Sequence, residues 1–224
     1  MLQALFYKEW IKTRRITWLM ALLMIALTVY AFIHTGQSFR MGGAVQVWSN
    51  VILKDMPLLP SFIQWFPLLA GSLLGWTQFI PEMTDRRLKL TLHLPLPESK
   101  ILSSMLLHGT IVLLSLFICM YLVLAIGLRS YYADEMIAAM TRRIIPWLLG
   151  GMLGYYFTCW VCLEPVWRQR VLNTLCAIGG LSLYYLSAKA GAYSPFLPYL
   201  LFLVVAGFTF PFYSTARFKE GAQS

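Results

Sequence analysis

Long apolar runs alternate along this chain with short charged breaks, and six of the runs reach or approach the length of a bilayer crossing. They lie at Ile16–Ile33, Ser61–Ile80, Ile101–Leu128, Ile144–Leu163, Val171–Ala188 and Phe196–Tyr213. A helix needs roughly 20 mostly apolar residues to cross the hydrocarbon core. The pattern predicts an all-α integral membrane protein, a single transmembrane domain over residues 1–224 with six transmembrane helices. The third run exceeds the requirement and has room to tilt. The fifth is the weakest, because Asn173, Thr174, Ser182 and Ser187 dilute it. The first is read as a retained span, since its apolar core is too long for a signal sequence and no small-x-small cleavage pattern precedes Gly36.

The widest polar break is Glu82–Lys100, EMTDRRLKLTLHLPLPESK, held between the second and third runs. It must sit in water at one membrane face, too short to fold alone, and its acids and bases suit a handle for a soluble partner. Ahead of the first run, Leu2, Leu5, Phe6 and Trp10 share one helical arc while Lys8, Lys12 and Arg15 share the other. That predicts an amphipathic interfacial helix over residues 1–15, lying among the headgroups.

Composition sharpens the class. The chain is 59% hydrophobic and only 12% charged, with a mean hydropathy of +0.67, outside the range of ordinary soluble domains. Its formal charge of +9 does not point to nucleic acid, because the basic residues collect at the ends of apolar runs with no basic stripe interleaved with aromatics. With six spans, twelve of the 18 Lys and Arg fall on the face that holds both termini and the Glu82–Lys100 loop, and six on the other. Short loops rich in Lys and Arg stay inside, which places both termini and that loop in the cytoplasm. Arg142 and Arg143 oppose the trend, with Asp134 and Glu135 in the same loop as partners.

Two glycine clusters, Gly71-x-x-x-Gly75 and Gly150-Gly151-x-x-Gly154, predict close helix contacts without naming which helices meet. Pro67, Pro198 and Pro211 are expected to kink their helices. The phenols of Tyr155 and Tyr156 fall near the middle of the fourth span and need a partner, either a neighbouring helix or water along a substrate path.

Catalytic chemistry lacks its parts. Cys119, Cys159, Cys162 and Cys176 all lie within spans, and the Cys159-x-x-Cys162 pair has no second ligand pair to form a metal site. There is no phosphate-cradling Gly-rich loop, no GxSxG elbow and no HExxH pair. Ser182 with His108 is the nearest approach to a lipid-directed nucleophile. No Asp, Glu, Lys or Arg lies near the centre of a span, where ion-driven carriers keep them. Any transport would then draw its energy from outside the chain.

At this point the layout resembles the membrane subunit of ABC transporters of the ABC-2 (type V exporter) class. Phe6-Tyr7-Lys8-Glu9-Trp10 looks like that family's opening ahead of the first span. Glu82 through Lys100, with Leu92-His93-Leu94-Pro95 and Ser99-Lys100-Ile101-Leu102, looks like its charged cytoplasmic loop and re-entry into the third span. Where the family often carries Gly-Thr, this chain has Arg86-Arg87-Leu88. The resemblance implies a permease subunit of an ATP-driven exporter in a plasma membrane, such as a bacterial inner membrane. It also implies a short cytoplasmic coupling helix between the second and third spans, with Glu82, Asp85, Arg86, Arg87 and Lys89 facing a separate cytoplasmic ABC ATPase. A second permease subunit, identical or not, would complete the transporter. ATP and Mg would bind the partner ATPase, and this chain would hold no cofactor, metal or catalytic residue of its own. The competing reading is a non-transporting assembly or sensory factor that binds another membrane protein through its helices.

Overall fold

A computed structural model describes residues 2–84, 97–187 and 189–219, and among them every regular element is a helix. In chain order these are α1 (Leu2–Ile52), a 3-10 turn (Ser61–Trp65), α2 (Phe66–Thr84), α3 (Glu98–Arg129), α4 (Asp134–Leu163), α5 (Trp167–Ser182), α6 (Leu197–Gly207) and α7 (Phe210–Lys219). Among the described residues four helical stretches are long and apolar enough to cross a membrane: Gln3–Ile52, Glu98–Arg129, Asp134–Leu163 and Leu197–Arg217. That is the pattern of a multi-pass membrane protein. α5, with 16 residues, falls short of a crossing length.

α1 departs most from expectation. No break separates residues 2–15 from the first apolar run; the helix runs unbroken to residue 42, and a kink at Gly43 joins it to a second helical stretch that ends at Ile52. At 1.5 Å per residue the part before the kink measures about 60 Å, roughly twice the hydrocarbon thickness. No Gly or Pro stands between Leu2 and Thr35 to interrupt it. At Gly43, φ 70 and ψ 164 belong to a region open to glycine and costly for other residues. Leu5, Glu9, Thr13, Met20, Met24, Ala31 and Thr35 form its buried stripe, while Trp18, Leu22, Ile25, Val29 and Ile33 stay exposed on the side suited to lipid.

α4 packs against every other helix, and its most extensive partner is α2. The two glycine clusters make that pair possible, because they face each other. A Cβ at Gly71 would collide with the Gly151 carbonyl oxygen, and one at Gly151 would come within 2.6 Å of the Pro67 carbonyl oxygen. A Cβ at Gly75 would press on Thr158 at 3.0 Å.

The prolines expected to kink helices sit elsewhere in them. Pro67, Pro198 and Pro211 each occupy the second position of a helix, where the missing N–H has no intrahelical role. Pro211 follows the Phe208–Thr209 turn, so the sixth predicted run is divided into α6 and α7. The interior prolines are Pro81 and Pro146.

At the end predicted to face outward, Tyr132 donates to the Thr35 carbonyl at 2.9 Å and Trp48 Nε1 donates to Glu135 at 3.4 Å. Arg143 is not paired with Asp134 or Glu135; it donates to the Asp55 carbonyl at 2.8 Å, while Asp134 pairs with Arg129 at 3.3 Å.

Candidate functional site

Helical spacing stacks polar residues on two otherwise apolar helices, α1 and α2, at the end where the charged loop begins. On α1, Leu5, Glu9 and Thr13 follow at four-residue intervals and point inward; on α2, Gln78 and Glu82 do the same. Lys8 and Lys12, also four apart, flank this stripe. His108 approaches from α3 and Tyr155 from α4.

The side chains join into one network. Glu82 Oε1 accepts from Lys8 Nζ at 3.0 Å and from Lys12 Nζ at 2.9 Å, and Lys12 also donates to Glu9 Oε1 at 3.0 Å. Lys12 donates further to the Gln78 carbonyl at 3.1 Å. The Gln78 side chain reaches two more helices, donating to the Met105 carbonyl at 2.8 Å and accepting the Tyr155 hydroxyl at 2.8 Å. Gln78 thereby connects α1, α2, α3 and α4. Gly109 leaves the room that Tyr155 needs, since any Cβ there would strike the phenol oxygen. Thr13 donates its one hydroxyl proton to the Glu9 carbonyl at 2.9 Å, so His108 Nε2, 3.2 Å from the same oxygen, serves as the donor to it.

Burial sets the electrostatics. Glu9 and Glu82 are each 1% exposed and Gln78 is fully buried, whereas the Lys8 side chain is 39% exposed. Glu82 follows the apolar run of α2. Burial opposes its charge, but the bonds from Lys12 and Lys8 outweigh burial and hold the carboxyl below its ordinary value.

A second buried carboxylate ties the carboxyl-terminal helices together. Glu164, at the end of α4, is fully buried and accepts from Ser214 at 2.7 Å and Asn173 at 3.5 Å; Arg217 lies 3.4 Å away. Arg170 caps the same turn through the Glu164 carbonyl, at 2.6 Å and 3.2 Å.

The residues singled out from sequence are distributed unevenly. Asp85, Arg86, Arg87 and Lys89 lie outside the described residues, as does most of the expected coupling helix. Glu82, assigned to a motor-facing surface, turns inward to α1. Lys8 and Glu9 belong to the same network, while Trp10 is 39% exposed and Phe6 packs edge-on against His108 with ring centroids 5.8 Å apart. Residues 2–15 thus dock on α2 through Lys8 and Lys12 and on α3 through Phe6 and Thr13. Tyr155 and Tyr156 both bond to neighbouring helices, Tyr156 to Thr110 at 3.0 Å. Ser182 donates to the Gly179 carbonyl of its own helix at 2.7 Å, and His108 is engaged by Thr13.

Sequence reasoning passed over Gln78, Glu164 and Ser214, and noticed Lys12 and Asn173 only as part of a basic arc and of a diluted run. Gln78 and Glu82 were visible as two polar residues one turn apart on an apolar helix; nothing local marked the others. Comparisons of the chain with protein-family models, curated proteins and solved structures gave no match.

Proposed function

We propose that the chain is the membrane-spanning permease subunit of an ATP-driven transporter, an exporter of the ABC-2 kind, worked by a separate cytoplasmic ATPase. The observation that carries this reading is the root of the charged loop. α2 ends at Thr84 and α3 begins at Glu98, and the α2 end is fastened through Glu82 to Lys8 and Lys12 of α1. A push on a loop rooted in this way reaches three helices at once. The chain has no phosphate-binding loop of its own, so the work comes from a partner.

In this reading six crossings form, with α2 and the run Val171–Ala188, of which α5 is the helical beginning, completing the four longer spans, and both termini lie in the cytoplasm. Asp85, Arg86, Arg87 and Lys89 meet the ATPase, giving the docking surface its register through charge. Tyr155 and Tyr156 serve the helix bundle that borders the substrate path, and a second permease subunit supplies the other side.

Purification from the native membrane under mild detergent is expected to bring down an ABC ATPase. Recovery of the chain alone, fully functional without one, would reject the assignment. Replacing Asp85 and Arg86 together with Ala is expected to cut ATP-dependent transport at least tenfold while leaving the protein's abundance in the membrane unchanged. Undiminished transport would remove both residues from the docking role.

A further inference from the structure

The network just described leaves one thing unbalanced. Its well-buried members are two carboxylates, Glu9 and Glu82, and one ammonium, Lys12, whose side chain is 17% exposed. Lys8 stands at the rim. Each carboxylate has one oxygen on Lys12 and the other without any hydrogen-bond partner: Glu9 Oε2 and Glu82 Oε2 are both buried and unsatisfied. The bonded oxygens lie 3.0 Å and 2.9 Å from the same nitrogen, which keeps them within about 6 Å of each other. Two like charges at that separation, out of water, raise the affinity of one of them for a proton.

We propose that Glu9 and Glu82 form a buried proton-binding site, in which Glu9 keeps a proton above the ordinary carboxylate range while Glu82 stays ionised to hold Lys8 and Lys12. The proton removes the excess negative charge of the buried set and supplies an O–H where two carboxylate oxygens lack a donor. Glu9 is the member that takes it, because Glu82 has two ammonium partners and Glu9 has one. Around Glu9 among the described residues stand Lys12 on α1, Glu82 and the neutral Gln78 side chain on α2, and Tyr155 and Cys159 on α4; Lys8 reaches Glu82, and His108 of α3 reaches Thr13. Among the described residues only Lys12 offers it a close positive charge. Glu9 precedes the apolar run of α1; there burial outweighs the Lys12 charge and moves the Glu9 carboxyl above its ordinary value. Release of the proton to solvent would put a second negative charge beside Glu82 and make both acids compete for Lys12. The site therefore couples proton occupancy to how firmly the amino-terminal segment sits on α2. This inference does not depend on the transport reading.

Infrared spectroscopy of the purified full chain in lipid nanodiscs tests it, by following the C=O stretch of a protonated carboxylic acid during a pH titration. Labelling glutamate with ¹³C identifies the band as Glu in the unaltered protein. The expected result is a glutamic-acid band that persists above the ordinary carboxylate range, disappears in Glu9→Gln, and titrates at lower pH in Glu82→Gln, where Glu9 has Lys12 to itself. Absence of the band above the ordinary carboxylate range in the unaltered protein overturns the proposal. So does its persistence in Glu9→Gln, which would assign it to another buried acid such as Glu164.

Discussion

Glu82 is the residue on which the amino-terminal half depends. Removing it leaves Lys12 in a buried position with one of its two carboxylate partners. Breaking a buried ion pair from one side costs about 3 kcal/mol or more, whereas exposed pairs contribute little. Glu82→Ala is expected to destabilise the protein by about 3 kcal/mol in detergent unfolding followed by circular dichroism, and Glu82→Gln by less. The sign of the pH effect follows from the lowered carboxyl. In the folded protein Glu82 holds its proton less tightly than in the unfolded chain, so its stabilisation is complete above the ordinary value of 4.5 and fades as pH falls through the lower folded value. Unfolding curves are expected to show that acid-side loss in the unaltered protein and a reduced one in Glu82→Gln.

Among elements, the α2–α4 pair is the tightest, and glycine determines it. Lipid offers no hydrophobic drive for helices to associate, so backbones must come close enough for dispersion and polar contacts to hold them. At Gly71 the obstacle to any side chain is the Gly151 backbone, which cannot turn aside as a flexible side chain would. Gly71→Ala is expected to cost about 1–3 kcal/mol in the same unfolding assay. Gly36→Ala and Gly179→Ala, where an added Cβ meets nothing within 4 Å, are the controls. Equal effects at all three positions would show that close approach is not what Gly71 provides. The kink at Gly43 is a different use of glycine, for φ rather than for space.

For the whole molecule, the question is which way the chain threads the bilayer. The Lys and Arg count and the six-crossing reading put residue 89 inside and residue 131 outside. Single cysteines introduced at Lys89 and Tyr131 in a background lacking the native cysteines are expected to differ in intact cells. An impermeant maleimide should label position 131 and reach position 89 only after permeabilisation. The reverse pattern would invert the topology and remove the cytoplasmic loop from reach of any ATPase. α1 carries Lys8, Glu9 and Lys12 at one end and, past the Gly43 kink, brings Trp48 to Glu135 of α4 at the other.

The helical class, the membrane habit and the places where helices approach closely were legible along the chain. Apolar run length and glycine spacing are local properties that a bilayer or a neighbouring backbone reads directly. The exact division into crossings was not. A run of suitable hydropathy can be split by a turn, as at Phe208–Thr209, or extended through weaker sequence, as in α1 beyond Ile33. The polar network was least legible, although Lys8, Glu9 and Glu82 drew notice singly. Apart from the Glu9–Lys12 pair on one helix, the contacts of Lys12 with Glu82 and of Lys12 and Tyr155 with Gln78 span 66 to 77 positions along the chain. A lysine or glutamate near the end of an apolar run reads as a surface charge until another helix covers it. Only the packing of α1 to α4 removed these groups from water, and that desolvation turned ordinary charges into a buried, coupled set.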